Sequence, residues 1–279
     1  MAIIAFLDTN VVRDLAEERT SRSQQDLAEL RGLIESARTI VAPSFEVLDE
    51  LLSSPDLAEA DQLANAQFYD SMVDWHFTLK PSDQMLQDDV ISLARNGGPA
   101  APYCAVDAQQ SGFIQAIRQG RSILPLQTLR AIRDRTRKQN ARFVKAVFTN
   151  FDRRLPDHGR QQLRSQRETT WNSWWRDQGL ADLIARDLDV NDSVPQQVSL
   201  LTLPSVRMAV GYILDTWYHQ VVGSRQVNPT QHHDFRIAVL GGGVGRIVTH
   251  DRRLRKAIEH IPQSVPALTI QDLLTQCFR

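Results

Sequence analysis

The feature that most constrains this chain is a division of its patterning. Strand-then-helix signals lie at the two ends, and helical signals alone lie between them. Residues 2–7, Ala-Ile-Ile-Ala-Phe-Leu, are apolar without alternation, which suits a strand buried on both faces of a parallel sheet. Asp8-Thr9-Asn10 ends that run with turn and cap chemistry. Helical spacing follows at Leu27, Leu30, Leu33 and Ile34, and residues 39–42 read as a second strand. Ser44 then suits the N-cap of a helix running to about Leu52. Toward the other end, residues 229–240 read as a helix stopped by Gly241-Gly242-Gly243. Residues 246–250 read as a third strand, and Asp251 opens a helix through about His260. Residues 267–270 read as a fourth strand and 271–278 as a last helix. Two strands at either end cannot make a stable sheet apart, so the ends must meet in space. The expected fold is α/β, with residues 1–55 and 225–279 forming one core. Residues 56–224 are expected to be a mostly helical insertion without strands.

Composition narrows the class. A chain that is 42% hydrophobic and 23% charged is neither disordered nor collagen-like. Its two cysteines, Cys104 and Cys277, form no C-x-x-C pair. That excludes a disulfide scaffold and a cysteine zinc cluster, and points to a reducing compartment. No apolar run approaches the roughly 20 residues of a spanning helix. The apolar start has no basic leader and stops at Asp8, unlike a secretory signal. A soluble, cytoplasmic protein with no membrane partner is expected.

The net charge of -1 conceals an asymmetry. Residues 1–117 carry a net -12, residues 118–167 a net +11, and the remainder is neutral. A basic stretch of this kind suits a nucleic-acid surface, and equally a solvated helix that pairs with the acidic part. Residues 127–151 read as one long basic helix, with Arg130, Arg133, Arg137, Lys138, Arg142 and Lys145 as candidate backbone contacts.

Acids recur where a parallel sheet places its ligands, beyond the carboxyl ends of the strands. Asp8 follows strand one and Asp251 follows strand three. Glu46, Asp49 and Glu50 lie early in the helix after strand two, and Asp234 near the start of the helix before strand three. Each could be a helix cap or turn residue alone. Together they point to a hard divalent cation, because clustered carboxylates repel one another and oxygen ligands suit Mg²⁺ or Mn²⁺. A bound cation of this kind makes water more acidic and neutralises phosphate charge, which is the chemistry of phosphodiester hydrolysis.

These residues resemble a known family. Phe6-Leu7-Asp8-Thr9-Asn10-Val11-Val12 is similar to the opening strand of PIN-domain nucleases. Ser44 to Leu51 resembles their second element, in which an acid precedes Leu, and Asp234 with Val248-Thr249-His250-Asp251 resembles their third and fourth acids. The resemblance covers about residues 2–55 and 225–278. It implies a PIN-like central parallel sheet flanked by helices and a metal-dependent nuclease, acting on RNA more often than DNA. By position, Asp8, Glu50, Asp234 and Asp251 would hold Mg²⁺ or Mn²⁺. Asn10, Thr249 and Glu46 would sit around those ligands. Glu46 competes with Glu50, and Glu50 is preferred because Leu51 follows it. The insertion departs from small PIN toxins. Members often pair, so a homodimer is implied, and a catalytically silent binding module is the alternative. A haloacid-dehalogenase-type phosphatase also places Asp after strand one, but wants a second Asp where Asn10 stands.

Other features read as structural. His232 and His233 read as polar helix-start residues, with contact to a phosphate or help to a leaving group as the other reading. Trp171, Trp174 and Trp175 read as a core-facing stripe, with base stacking as the other reading. Asp215 and His219, four apart, read as a surface pair, with an extra metal or substrate contact as the other reading.

Overall fold

The computed structural model describes residues 2–17, 21–54, 57–121, 138, 156–177, 179–180, 199–222 and 231–277. The first half contains β1 (Ile3–Leu7), α1 (Thr9–Ala16), α2 (Ser21–Glu35), β2 (Thr39–Val41), α3 (Phe45–Ser53), α4 (Glu59–Asp70), β3 (Phe77–Leu79), α5 (Ser82–Asn96), β4 (Tyr103–Ala105) and α6 (Ala108–Arg118). There follow α7 (Asp157–Ser165), α8 (Arg167–Arg176), α9 (Pro204–Val221), α10 (Gln231–Val244), β5 (Ile247–Val248), α11 (Arg252–Glu259), β6 (Ala267–Leu268) and α12 (Ile270–Cys277).

The chain ends do meet. Four parallel strands lie in the order β2-β1-β5-β6, with helices around them. Ile3 stands opposite Thr39 on one side of β1, and Phe6 opposite Ile247 on the other. Ala5, Phe6 and Leu7 are fully buried, which is why this strand is continuously apolar at its carboxyl end. Ser44 caps α3 as its sequence suggests, accepting a hydrogen bond from the Glu46 N–H at 3.2 Å.

Two expectations are corrected. The stretch 56–224 does contain strands: β3 and β4 pair antiparallel, with Thr78 opposite Cys104. Three residues carry no readable period, and tertiary hydrogen bonds fix them instead. Leu79 N–H donates to the Pro43 carbonyl at 2.8 Å, and Lys80 N–H to the Pro102 carbonyl at 2.9 Å. The described part of this stretch also shares its buried cluster with the chain ends. Tyr69, Met85, Ile117 and Tyr212 belong to the same core as Phe6 and Val248.

The second correction concerns α10, which runs through Gly241, Gly242 and Gly243 and ends at Val244. The stop is Gly245, whose φ of 88° is left-handed. The three earlier glycines serve close packing. A Cβ at Gly241 would lie 2.0 Å from the Ile247 side chain, and one at Gly242 2.7 Å from the Pro204 carbonyl oxygen. One at Gly243 would lie 2.5 Å from Met85 Sδ. Helix α10 therefore sits close against β5, α9 and α5, and at Gly242 the obstacle to a side chain is backbone, which cannot turn aside.

The tryptophan stripe faces the core. Trp171 is buried and its Nε1–H donates to the His260 carbonyl at 2.7 Å, while Trp174 lies edge-on to Tyr218. Among the described residues, no helix is long and apolar enough to cross a membrane.

Gly242→Ala is expected to lower stability by about 1–3 kcal/mol, despite alanine's higher helix propensity, because backbone atoms block the methyl group. Urea unfolding reads this directly, and an unchanged or higher midpoint would contradict the packing.

Candidate metal centre

Strand β1 has β2 on one side and β5 on the other, so the strand order reverses at the β1–β5 seam. In open parallel sheets the crevice outside the carboxyl ends at such a seam is where ligands bind. Asp8 leaves β1 there, and Thr249 to Asp251 leave β5 there.

Asp8 occupies the N-cap position of α1, with extended backbone, yet its side chain makes no capping hydrogen bond. Its backbone N–H donates to the Val248 carbonyl at 2.9 Å, and its Oδ2 accepts from Thr249 Oγ1 at 2.5 Å. The Thr249 hydroxyl in turn accepts from the Asp251 N–H at 3.0 Å and from Asn10 Nδ2 at 3.4 Å. A hydroxyl has one proton to donate and two lone pairs, so Thr249 is fully used. Asn10 Oδ1 also accepts from the His250 N–H at 3.1 Å, tying the exits of β1 and β5 together.

Asp251 behaves differently from Asp8. Its Oδ1 caps α11, accepting from the Arg253 N–H at 2.6 Å and the Leu254 N–H at 3.0 Å.

On α3, Glu46 and Glu50 part company. Glu46 Oε1 accepts from Ser82 N–H at 2.8 Å and Ser82 Oγ at 3.0 Å, at the start of α5. Its Oε2 pairs with Arg236 Nε at 2.8 Å. Glu46 therefore joins α3 to α5 and α10. Glu50 turns the other way, accepting from Thr9 Oγ1 and pairing with His233 Nε2. Ligand atoms of Asp8, Glu50 and His233 all lie within 4.8 Å of one another. Asp234, beside His233 in the first turn of α10, accepts from Tyr212 O–H at 3.0 Å.

The electrostatics report crowding. Burial, together with the charges of Glu50 and Asp234, pushes the Asp8 carboxyl up to about 7. Burial, with Asp251 and Glu50, raises Asp234 to about 6. Burial alone would also raise Glu50, but the cationic His233, the Thr9 hydroxyl and Arg13 hold it below its usual value. Burial opposes charge on His233, and the carboxylates of Glu50, Asp8 and Asp234 outweigh it, lifting the imidazole to about 9. Its neighbour His232 goes the other way, to about 4, through burial beside Arg236.

The structure thus brings Asp8 and Glu50 together with His233, which was read as a polar helix-start residue. Asp234 lies within electrostatic reach of both acids, and Asp251 within reach of Asp234. A polar residue at a helix start needs no site to explain it, and the available signal was that His233 stands beside Asp234 in the first turn of α10. Asp215 is also corrected. It is buried, not on the surface, with His260 Nδ1 at 3.1 Å, His219 Nε2 at 3.7 Å and Arg167 Nη2 at 3.9 Å. Of the basic candidates, Lys138 is helical and exposed, and Arg130, Arg133, Arg137, Arg142 and Lys145 lie outside the described residues. Comparison with protein-family models, curated proteins and solved structures gave no match.

Two outcomes follow. Thr249→Val keeps the shape and removes the hydroxyl, leaving Asp8 Oδ2 and the Asp251 N–H without that partner. It is expected to cost about 1–3 kcal/mol in thermal unfolding; a loss indistinguishable from zero would contradict the network. Separately, a histidine whose folded pKa is raised binds a proton on folding. The stability it contributes is complete below 6.5 and is lost as pH rises through about 9. In the presence of a chelator, the wild type should lose stability over that interval and His233→Gln should lose less. Parallel slopes for the two would contradict the assignment of charge to His233.

Proposed function

We propose that this chain is a PIN-like, divalent-cation-dependent nuclease that hydrolyses phosphodiester bonds, in RNA ahead of DNA. One observation carries the reading: Asp8 and Glu50 from the N-terminal segment converge with His233 and Asp234 from the C-terminal segment beside a strand-order reversal. The donor set fits a divalent cation. Its members are mainly carboxylates, and their mutual repulsion is the kind that positive charge relieves. Asp8 and Glu50 would hold the ion, with Asp234 within reach and Asp251 behind it.

Once bound, Mg²⁺ or Mn²⁺ would supply a more acidic water and offset the charge of a phosphodiester. The chain's own groups set the stage. Thr249 fixes one oxygen of Asp8, Thr9 holds Glu50, and Tyr212 holds Asp234. Such outer partners orient ligands and keep the pocket from collapsing. The net +11 of residues 118–167 suits sequence-independent, salt-sensitive contact with a nucleic-acid backbone. Arg130, Arg133, Arg137, Lys138, Arg142 and Lys145 are the proposed contacts.

The test is incubation with labelled single-stranded RNA and DNA, with and without Mn²⁺. Asp8→Asn combined with Asp251→Asn should reduce cleavage below about one hundredth of wild type. Asparagine caps helices as well as aspartate does, so α11 should survive and circular dichroism should be unchanged. Undiminished cleavage by the folded double variant would refute the reading.

A further inference from the structure

We propose that His233 Nε2 is itself a ligand to the cation, beside Asp8 and Glu50, and that this nitrogen makes the site prefer Mn²⁺ to Mg²⁺. The inference rests on the cation-holding reading of the site given above and names which ion the site selects.

The geometry carries it. His233 Nε2 is a buried atom that abuts Glu50 Oε2. A third group, Asp8, has its ligand atom within 4.8 Å of both, so one ion could be reached by all three. The three come from three separate elements, the end of β1, α3 and α10.

Nor is the position of His233 accidental to the fold. Helices α3 and α10 are bridged by two rungs. One is Glu46–Arg236, and the other, about one turn away on each helix, is Glu50–His233. The first rung is fully satisfied, since Glu46 also receives both Ser82 donors. It holds the second rung in place without using any site ligand.

The donor chemistry then decides the ion. Mg²⁺ takes oxygen ligands almost alone, demands near-ideal octahedral geometry and keeps its waters. Imidazole nitrogen strengthens the hold on first-row transition ions and does little for Mg²⁺. A set of two carboxylates and one imidazole therefore favours Mn²⁺ over Mg²⁺, where an all-carboxylate set favours neither as strongly.

The rival view is that His233 serves as a fixed counter-charge to Glu50. The two views predict opposite signs. If His233 is a ligand, removing it weakens Mn²⁺ binding. If it is a counter-charge, removing it leaves the carboxylates more negative and binding tightens.

The experiment is Mn²⁺ and Mg²⁺ titration of the chelator-stripped full chain, wild type and His233→Gln, by calorimetry. It is paired with electron spin-echo spectroscopy of bound Mn²⁺. Expected are wild-type binding at least about tenfold tighter for Mn²⁺ than for Mg²⁺, and a ¹⁴N modulation in the Mn²⁺ signal. In His233→Gln the modulation should vanish and Mn²⁺ affinity fall by roughly 10–100-fold, with Mg²⁺ affinity little changed. Equal or tighter Mn²⁺ binding by the variant, or a wild-type signal without ¹⁴N, would overturn the proposal. The wild-type spectrum decides even if the variant does not fold. Binding of neither ion would remove the cation site altogether. A nitrogen-ligated Mn²⁺ without cleavage of RNA or DNA would sink the nuclease reading alone.

Discussion

Like charges brought together out of water are the constraint around which this structure is arranged. Asp8 is 3% exposed, and the charges of Glu50 and Asp234 bear on it. Burial penalises each ionised carboxylate and their mutual repulsion adds to it, and the charge of His233 and the Thr249 hydroxyl offset this only in part, since Asp8 is still pushed up to about 7. Hydrophobic packing around the site must therefore hold the acids where they would not go alone. The buried ends of β1 and β5 supply this, with Phe6, Leu7, Ile247 and Val248 all at 0% exposure directly before the acids. The fully buried part of the sheet borders its least favourable charges.

Comparison of Asp8 with Asp251 separates structural work from strain. Both follow a parallel strand and precede a helix, and both stand at an N-cap position. Asp251 uses its side chain as such a residue ordinarily does, accepting two N–H bonds from the helix it opens. Asp8 forgoes that bond, and its carboxylate turns to Thr249 and the site. A capping residue that declines to cap has been held in place by something else, and here the Thr249 hydroxyl does it. That hydroxyl also binds the Asp251 N–H, so one buried oxygen couples the two strand exits.

Much of this arrangement was legible in the sequence, for physical reasons. A strand buried on both faces must be continuously apolar, so residues 2–7 announced themselves, and Ser44 marked its helix because few side chains can accept at an N-cap. Strand-end acids were legible because topology, not packing detail, puts them at one edge. What depended on distant partners was not legible. Strands of three residues such as β3 have no period and exist through bonds to Pro43 and Pro102. Gly241 to Gly243 look like a helix stop until Ile247, Pro204 and Met85 are seen pressed against them. Asp215 looked exposed because its cover, with Arg167 and His260, comes from far along the chain. His233 was set aside because a polar side chain at a helix start needs no site to explain it.

The glycine contacts and the histidine are connected. Helix α10 delivers His233 and Asp234 from its first turn, and its last turn is the part pinned by glycine against β5, α9 and α5. A side chain at Gly242 would push the helix from Pro204 and Ser205, and a rigid helix displaced at one end moves at the other. Roughly eight to nine residues at 1.5 Å each separate Gly242 from Asp234, so the lever is about as long as the helix. A small-residue contact remote from the acids thus bears on where the first turn of α10, with His233 and Asp234, comes to lie. The same three glycines that look expendable in composition therefore belong, mechanically, to the site.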